Sequence, residues 1–350
     1  MLSNALRQIW SIVETMYECP NLISSRQAHK PMNIFERIRN GFGFVAERAD
    51  HVRINEIALK EFTLSLPNAM PENVFDDQHH FIGDAEQTAA YVLTLDAMNF
   101  GSGFEPELVA EGWERIDDSL YFTIATHLKS HFEMHGIINS DSMQLIGIND
   151  IIDMLKLNKD GAYSFEFARL IAMSLRDLGQ MISDECEGSF YQFIQSMNRS
   201  ASACVERLAK LKSFRDVHPY KDCQVFILKR AQCVAADMHD AFMHINNTPL
   251  FDDIDQLTIL PDNDIPHVLR MEGVLEYSEE LSQMIESGTP LASGSPYEIE
   301  LRCVAAHAVE LMADIKAMPV IHLDRIIWHK CWEDPKYKTQ EPHRTQSSFY

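Results

Sequence analysis

Apolar residues recur at steps of three and four along most of the chain, the period of a helix with one buried face. Leu2, Leu6, Ile9, Trp10, Val13 and Met16 set it near the start, and Ile34, Ile38, Phe42 and Val45 repeat it. Residues 84–100 carry Ala90, Leu93, Ala97 and Phe100 in register, and Gly101 and Gly103 then stop the helix. Residues 119–136 predict another, ending at Gly136, and residues 165–211 two or three, with a break near Gly188. "CQVFILKRAQCVAADMHDAF" begins apolar and continues as a helix. Residues 266–288 read as one helix or as two divided at Gly273, and residues 295–318 and 320–332 complete the set.

Strand signals are few. "DHVRI" at 50–54 and "HHFIG" at 79–83 suggest a small hairpin or edge. No strand–helix alternation, solenoid period or low-complexity tract appears. The Pro-bearing connection from Ser65 to Gly83 has the length of a functional loop or lid. The polar tail ends in Phe349 and Tyr350, which suits a docked end. The fold expected is mainly α, with at most a small β hairpin, as one large domain or two lobes around a cleft.

Composition narrows the function. With 46% hydrophobic residues in 350, disorder is not the default. Lys and Arg total 30 against 52 Asp and Glu, a net charge of −22 that repels phosphate backbones and anionic membranes. No nucleic-acid, membrane or obligate protein partner is expected. Seven scattered cysteines (Cys19, Cys186, Cys204, Cys223, Cys233, Cys303, Cys331) form no C-x-x-C pair, which predicts free thiols in a reducing compartment. The N-terminus lacks a basic start and a small-residue cleavage site, and no apolar run reaches membrane-spanning length. A cytoplasmic address follows.

Candidate chemistry is dispersed. "NFGSGF" reads as a helix end rather than a phosphate loop, since no strand precedes it and no Gly-Lys-Ser/Thr follows. Asp96 and Asn99, three apart on that helix, are placed to face a pocket together. Lys229 and Arg230 lie in an otherwise apolar stretch, where cations need an anionic partner: internal carboxylates or a ligand phosphate or ribose. The histidines, among them His79, His80, His322 and His329, show no H-E-x-x-H or related spacing, so no metal site is expected. No G-x-S-x-G nucleophile turn occurs. Two carboxylates stand out in apolar surroundings: Asp262 in "LTILPDNDIPHVL" and Asp324 in "VIHLDRIIW". Asp262 also reads as the start of a helix, and Asp324 as an ion-pair partner of Arg325 or a histidine.

In order, "YVLTLDAMNF", "SFRD", "ILKRAQCVAAD", "LTILPDNDIPHVL", "EGVLEYSEEL", "YEIELRCVAAHAVELM" and "PHRTQSSFY" resemble the queuosine salvage protein family, the queuosine 5′-phosphate N-glycosylase/hydrolases, from about Phe35 to Tyr350. The resemblance implies a single helical domain over residues 1–350, similar to helix-hairpin-helix DNA glycosylases. It would comprise N-terminal helices at 1–64, a loop at 65–83 and a helical core at 84–350. It implies hydrolysis of the bond between ribose and a 7-deazaguanine base, releasing queuine for tRNA modification, with no cofactor. By resemblance Asp262 stabilises charge at the anomeric carbon, Lys229 holds ribose or phosphate, and Asp324 contacts the base. Asn99, Phe100 and His80 line the pocket. Asp96, Arg230, Arg325 and His329 complete the substrate-binding candidates. The chain departs from the family on the base side: Leu260 replaces an aromatic, and Arg325 and His329 stand where a Tyr and an acid are usual. A different modified purine ribotide, or binding without turnover, are the alternatives.

Overall fold

The computed structural model describes residues 32–70 and 75–350. The helix predicted at the start, Cys19 and part of the 65–83 connection lie outside the described residues. Within them the order is α1 (Ile34–Arg48), β1 (Val52–Ile54), α2 (Glu56–Ser65), α3 (Ala85–Met98), α4 (Glu105–Ala110), α5 (Leu120–His135), α6 (Ser140–Leu145), α7 (Ile148–Leu155), α8 (Ala162–Cys186), α9 (Phe190–Gln195), α10 (Ala201–Leu208), β2 (Val217–Tyr220), β3 (Cys223–Phe226), α11 (Lys229–Asn246), α12 (Asp264–Met271), β4 (Leu275–Tyr277), α13 (Glu279–Glu286), α14 (Pro296–Lys316) and α15 (Val320–Glu333). The mainly helical class is as expected.

Local chemistry sets the helix starts. Asn33 with Glu36, and Asp84 with Gln87, form reciprocal capping boxes that satisfy first-turn N–H groups. Ser119 and Ser295 cap α5 and α14 by the same logic. α3 is the central helix: every residue from Thr88 to Met98 is buried, and it packs on α5, α8, α9 and α11. A helix buried all round must be apolar or internally bonded; Thr94 accordingly returns its hydroxyl to the Ala90 carbonyl at 2.6 Å. Asp96, on the same helix, has only the Asn99 amide as a local partner, 3.4 Å from its Oδ1.

The strands correct the expected pairing. β1 pairs antiparallel with β4, Val52 opposite Tyr277, while residues 79–83 form no strand. A second two-stranded sheet, β2–β3, closes through Lys221 in the left-handed region. Residues 266–288 are therefore not one helix: β4 interrupts them, held by a partner more than two hundred residues away that local periodicity cannot reveal. Five cysteines, Cys186, Cys204, Cys233, Cys303 and Cys331, are free thiols. Cys223 is disulfide-bonded, which corrects the expectation of free thiols throughout; scattered spacing says nothing about tertiary proximity. No helix among the described residues is long and apolar enough to cross a membrane.

The tail docks. Gly101 N–H donates to the Tyr350 carbonyl at 2.9 Å, and Leu291 N–H to the Arg344 carbonyl at 2.7 Å. The glycines of "GSGF" serve this contact. Gly101 has φ of 105°, and a Cβ on Gly103 would sit 2.0 Å from the Thr345 carbonyl oxygen. The tail thus closes one side of a cleft between α3, α11, α12 and α15.

Candidate active site

The segment leading into α12 is held rung by rung. Thr258 N–H donates to Gln232 Oε1 at 3.0 Å, and Gln232 Nε2 returns a bond to Thr258 Oγ1 at 2.9 Å. Leu260 N–H donates to Asp324 Oδ1 at 2.8 Å. The Pro261 carbonyl accepts from Arg302 Nε at 2.8 Å. Asp262 follows, and both readings of it hold at once. Its Oδ1 accepts the Asp264 N–H, at the first residue of α12, at 3.0 Å. Its Oδ2 lies 3.7 Å from Lys229 Nζ. Lys229 opens α11, and Leu228 before it takes φ of 52°, a conformation costly to a non-glycine residue, to turn β3 into that helix.

A cavity of about 780 Å³ opens on these groups. α11 contributes Lys229, Cys233, Asp237 and Asp240, at steps that keep them on one face. α15 contributes Asp324, Arg325, Trp328 and Trp332 in the same way. Tyr121, Asn99, Phe100 and Ser102 line another wall, and Tyr337, His343, Arg344 and Tyr350 of the tail a further one. Among the described residues no group of three His, Cys, Asp or Glu side chains is placed to hold a metal ion.

Carboxylates dominate, and burial sets their protonation. Asp324 is pushed up to about 7, by burial first and the Asp262 charge next, against the Leu260 N–H. Asp96 is raised by burial to about 7 and Asp240 to about 6. Burial and then Asp96 lift Asp237 well above the carboxylate range; burial and then Asp262 do the same for Asp264. Burial works to lower Lys229, but Cys233, Asp262, Asp96 and Asp324 outweigh it and leave the ammonium raised. The site therefore sets one firmly held cation among carboxyls that burial makes reluctant to ionise.

Of the residues singled out in the sequence, Asp262, Lys229, Asp324, Asn99, Phe100 and Arg325 meet at the cavity. Four do not line it. Arg230 points the other way: Nε donates to Asp96 O, Nη1 to Ser213 O and Ser348 O, and Nη2 to Asp96 O and Ser174 Oγ. Its five N–H groups are occupied and its charge sits between the Phe100 and Phe214 rings, so it braces the tail rather than a ligand. His80 is buried against Phe75, its Nε2 2.9 Å from the Tyr121 hydroxyl, and reaches the cavity only through that tyrosine. His329 lies 3.7 Å from Glu333 on the turn beside the lining face. Asp96 stands behind Asp237. The sequence reading missed Asp237, Asp240 and the aromatic pair Trp328–Trp332. The signal was available: they follow Lys229 and Asp324 at helical steps on the same faces.

The raised carboxyls make stability depend on pH. A folded-state pKa above the unfolded value means that ionisation is resisted in the fold, so this contribution is full below about 4 and lost as pH rises through about 7 for Asp96 and Asp324. Buried His80 and His127, lowered to about 4, and His343, lowered to about 3, act oppositely, but only below about 6.5. The thermal midpoint of the unliganded protein should therefore fall from pH 6.5 to pH 8. Asp324→Asn, which keeps the acceptor for Leu260, should flatten that fall. A pH-independent midpoint in melts across this window would refute the assignment.

The profile of the queuosine salvage protein family matches residues 79–350. A queuosine 5′-phosphate N-glycosylase/hydrolase of Dictyostelium discoideum is 31% identical over 342 residues, 91% of this chain and 100% of that protein. Proteins of the same name from Sphaerobacter thermophilus and Mus musculus are each 29% identical, covering 87% and 79% of this chain and 95% and 83% of their own. With this much of the chain matched from end to end, including the segments that frame the cavity, the chain belongs to the queuosine salvage protein family.

Proposed function

We propose that this chain hydrolyses the N-glycosidic bond of queuosine 5′-phosphate and releases queuine for tRNA modification. The observation that carries the reading is Asp262: a carboxylate fixed at one oxygen by the α12 turn, with the other open to the cavity beside Lys229. Cleavage of an N-glycosidic bond builds positive charge on the sugar, and a positioned carboxylate stabilises it. In this reading the C1′–N bond breaks, a water oxygen bonds to C1′, Asp262 takes the water proton, and that proton passes through solvent to the ring nitrogen of the departing base, which regenerates the carboxylate. A 7-deaza base has no N7 to protonate, so the sugar side carries more of the barrier. Lys229, 3.7 Å from Asp262, reaches the ribose, and Asp324 faces the base. The direct test is mass-spectrometric detection of queuine after incubation with queuosine 5′-phosphate.

The 5′-phosphate belongs at the tail side of the cavity in this reading. Arg344 keeps a buried Nε without a partner there, and Ser102 a buried hydroxyl without one. Arg230 is excluded by its full set of bonds. Charge-assisted bonds contribute ~1.5–3 kcal/mol, so kcat/KM for the nucleotide should exceed that for the nucleoside by ~10–100-fold, and Arg344→Met should shrink the ratio. Equal values for both substrates in the unmodified protein would remove the phosphate subsite.

A further inference from the structure

The α11 stripe that begins with Lys229 ends in carboxylates, and they differ in how they are balanced. Asp240 has its counter-ion, the Arg325 guanidinium. Asp237 and Asp96 have none: among the described residues neither makes an ion pair. Asp96 is fully buried and its Oδ2 meets no donor. Only Asn99 approaches its other oxygen, at 3.4 Å. Arg230 is adjacent, yet it binds the Asp96 backbone carbonyl instead of the carboxylate. What lies against the Asp96 side chain, within hydrogen-bonding reach, is the side chain of Asp237, which in turn lines the cavity.

Two carboxyls so placed hold a proton between them when the site is empty, because two buried anions in contact repel each other strongly. Burial raises both, and the Asp96 charge raises Asp237 further, as described above. Such a pair can receive a cation: an ammonium in the cavity can donate to the Asp237 carboxylate, with the Asp96 carboxylate behind it, and displace the shared proton to solvent. The neighbouring surface suits one. Tyr121 and Trp328, with ring centroids 6.5 Å apart, line the same end of the cavity, and aromatic faces attract ammonium groups. Position agrees as well. Asp237 follows Lys229 by eight residues, roughly 12 Å along the helix at ~1.5 Å per residue. With the sugar at Asp262 and Lys229, the far edge of the base and its substituent extend to that end.

We propose that Asp96 and Asp237 together form the subsite for a cationic substituent on the ligand, which in queuosine 5′-phosphate is the protonated secondary amine attached through C7 of the base. The inference rests on the reading under Proposed function and adds to it the element that separates a substrate with a charged substituent from one without. Asp237 makes the contact. Asp96 is a positioning residue that keeps the second carboxylate behind it.

The test uses two small nucleotides that differ mainly in substituent charge, the 5′-phosphates of 7-aminomethyl- and 7-hydroxymethyl-7-deazaguanosine, with the full chain. Charge-assisted bonding of ~1.5–3 kcal/mol predicts that kcat/KM for the aminomethyl nucleotide exceeds that for the hydroxymethyl nucleotide by ~10–100-fold. Asp237→Asn should bring the ratio close to one, and Asp96→Asn should reduce it. A ratio near one in the unmodified protein overturns the inference without any variant. A ratio that persists in Asp237→Asn, with both substrates slowed alike, overturns it too. Release of queuine from queuosine 5′-phosphate serves as the control. If the unmodified protein releases no base from any of the three, the hydrolase reading itself falls; if it releases queuine but ignores substituent charge, only this subsite does.

Discussion

Asp262→Asn lowers kcat by ~10²–10³-fold, the usual cost of losing one preorganised electrostatic contact to a developing charge. The substitution is well defined because the side chain has two separable duties. Oδ1 accepts the Asp264 N–H at 3.0 Å, and an amide oxygen does the same, so the turn into α12 keeps its geometry. Oδ2 faces Lys229 at 3.7 Å and the cavity, and there Asn supplies neither negative charge nor a base for the water proton. Lys229 retains Asp324 and Asp96 as neighbours, so its ammonium is not stranded. The expected pattern is a fall in kcat with thermal unfolding little changed, measured by release of free base under saturating nucleotide. A variant that turns over near the normal rate would show that the sugar cation is stabilised by another group.

That pattern also marks what could be read from the sequence. Asp262, Lys229 and Asp324 lie far apart in the chain, yet each stood out as a charged group among apolar neighbours, and the fold brings them to one cavity. The elements around them were legible because their signals are local: Asp84 with Gln87 starts α3, and helical period carries α14 and α15. Direction was not legible. Lys229 and Arg230 are consecutive, but about 100° apart around a helix at ~3.6 residues per turn. One faces the cavity and the other is buried under the tail. His329 misses the lining face of α15 for the same reason, while Trp328, one position earlier, is on it. β1–β4 and the Asp96–Asp237 pair depend on contacts between remote segments, which no local pattern reports.

Arg302→Met should destabilise the protein by ~3–5 kcal/mol, the cost of removing one partner from a buried ionic cluster. Arg302 is wholly buried in α14. It donates to both Asp216 oxygens, at 3.1 and 2.6 Å, to Glu298 at 2.9 Å and to the Pro261 carbonyl at 2.8 Å. The Tyr350 ring lies 4.2 Å from its guanidinium carbon. Although burial opposes ionisation, Arg302 and His218 hold Asp216 down to about 2. This pair therefore stabilises the fold above the ordinary carboxylate range, near 4, and its contribution is lost as pH falls toward 2. Methionine fills similar space but leaves Glu298 buried without its counter-ion and Asp216 with His218 alone. It also releases the carbonyl next to Asp262, so kcat should fall even at temperatures where the variant remains folded. Adding Asp216→Asn separates the two effects. With one stranded charge gone, the double variant should unfold at a higher temperature than Arg302→Met alone, since residues of one network are not additive. Its kcat should stay low, because the Pro261 carbonyl remains unheld. Strictly additive stabilities, or a double variant with restored turnover, would show that Arg302 neither neutralises Asp216 nor fixes the segment that carries the catalytic carboxylate.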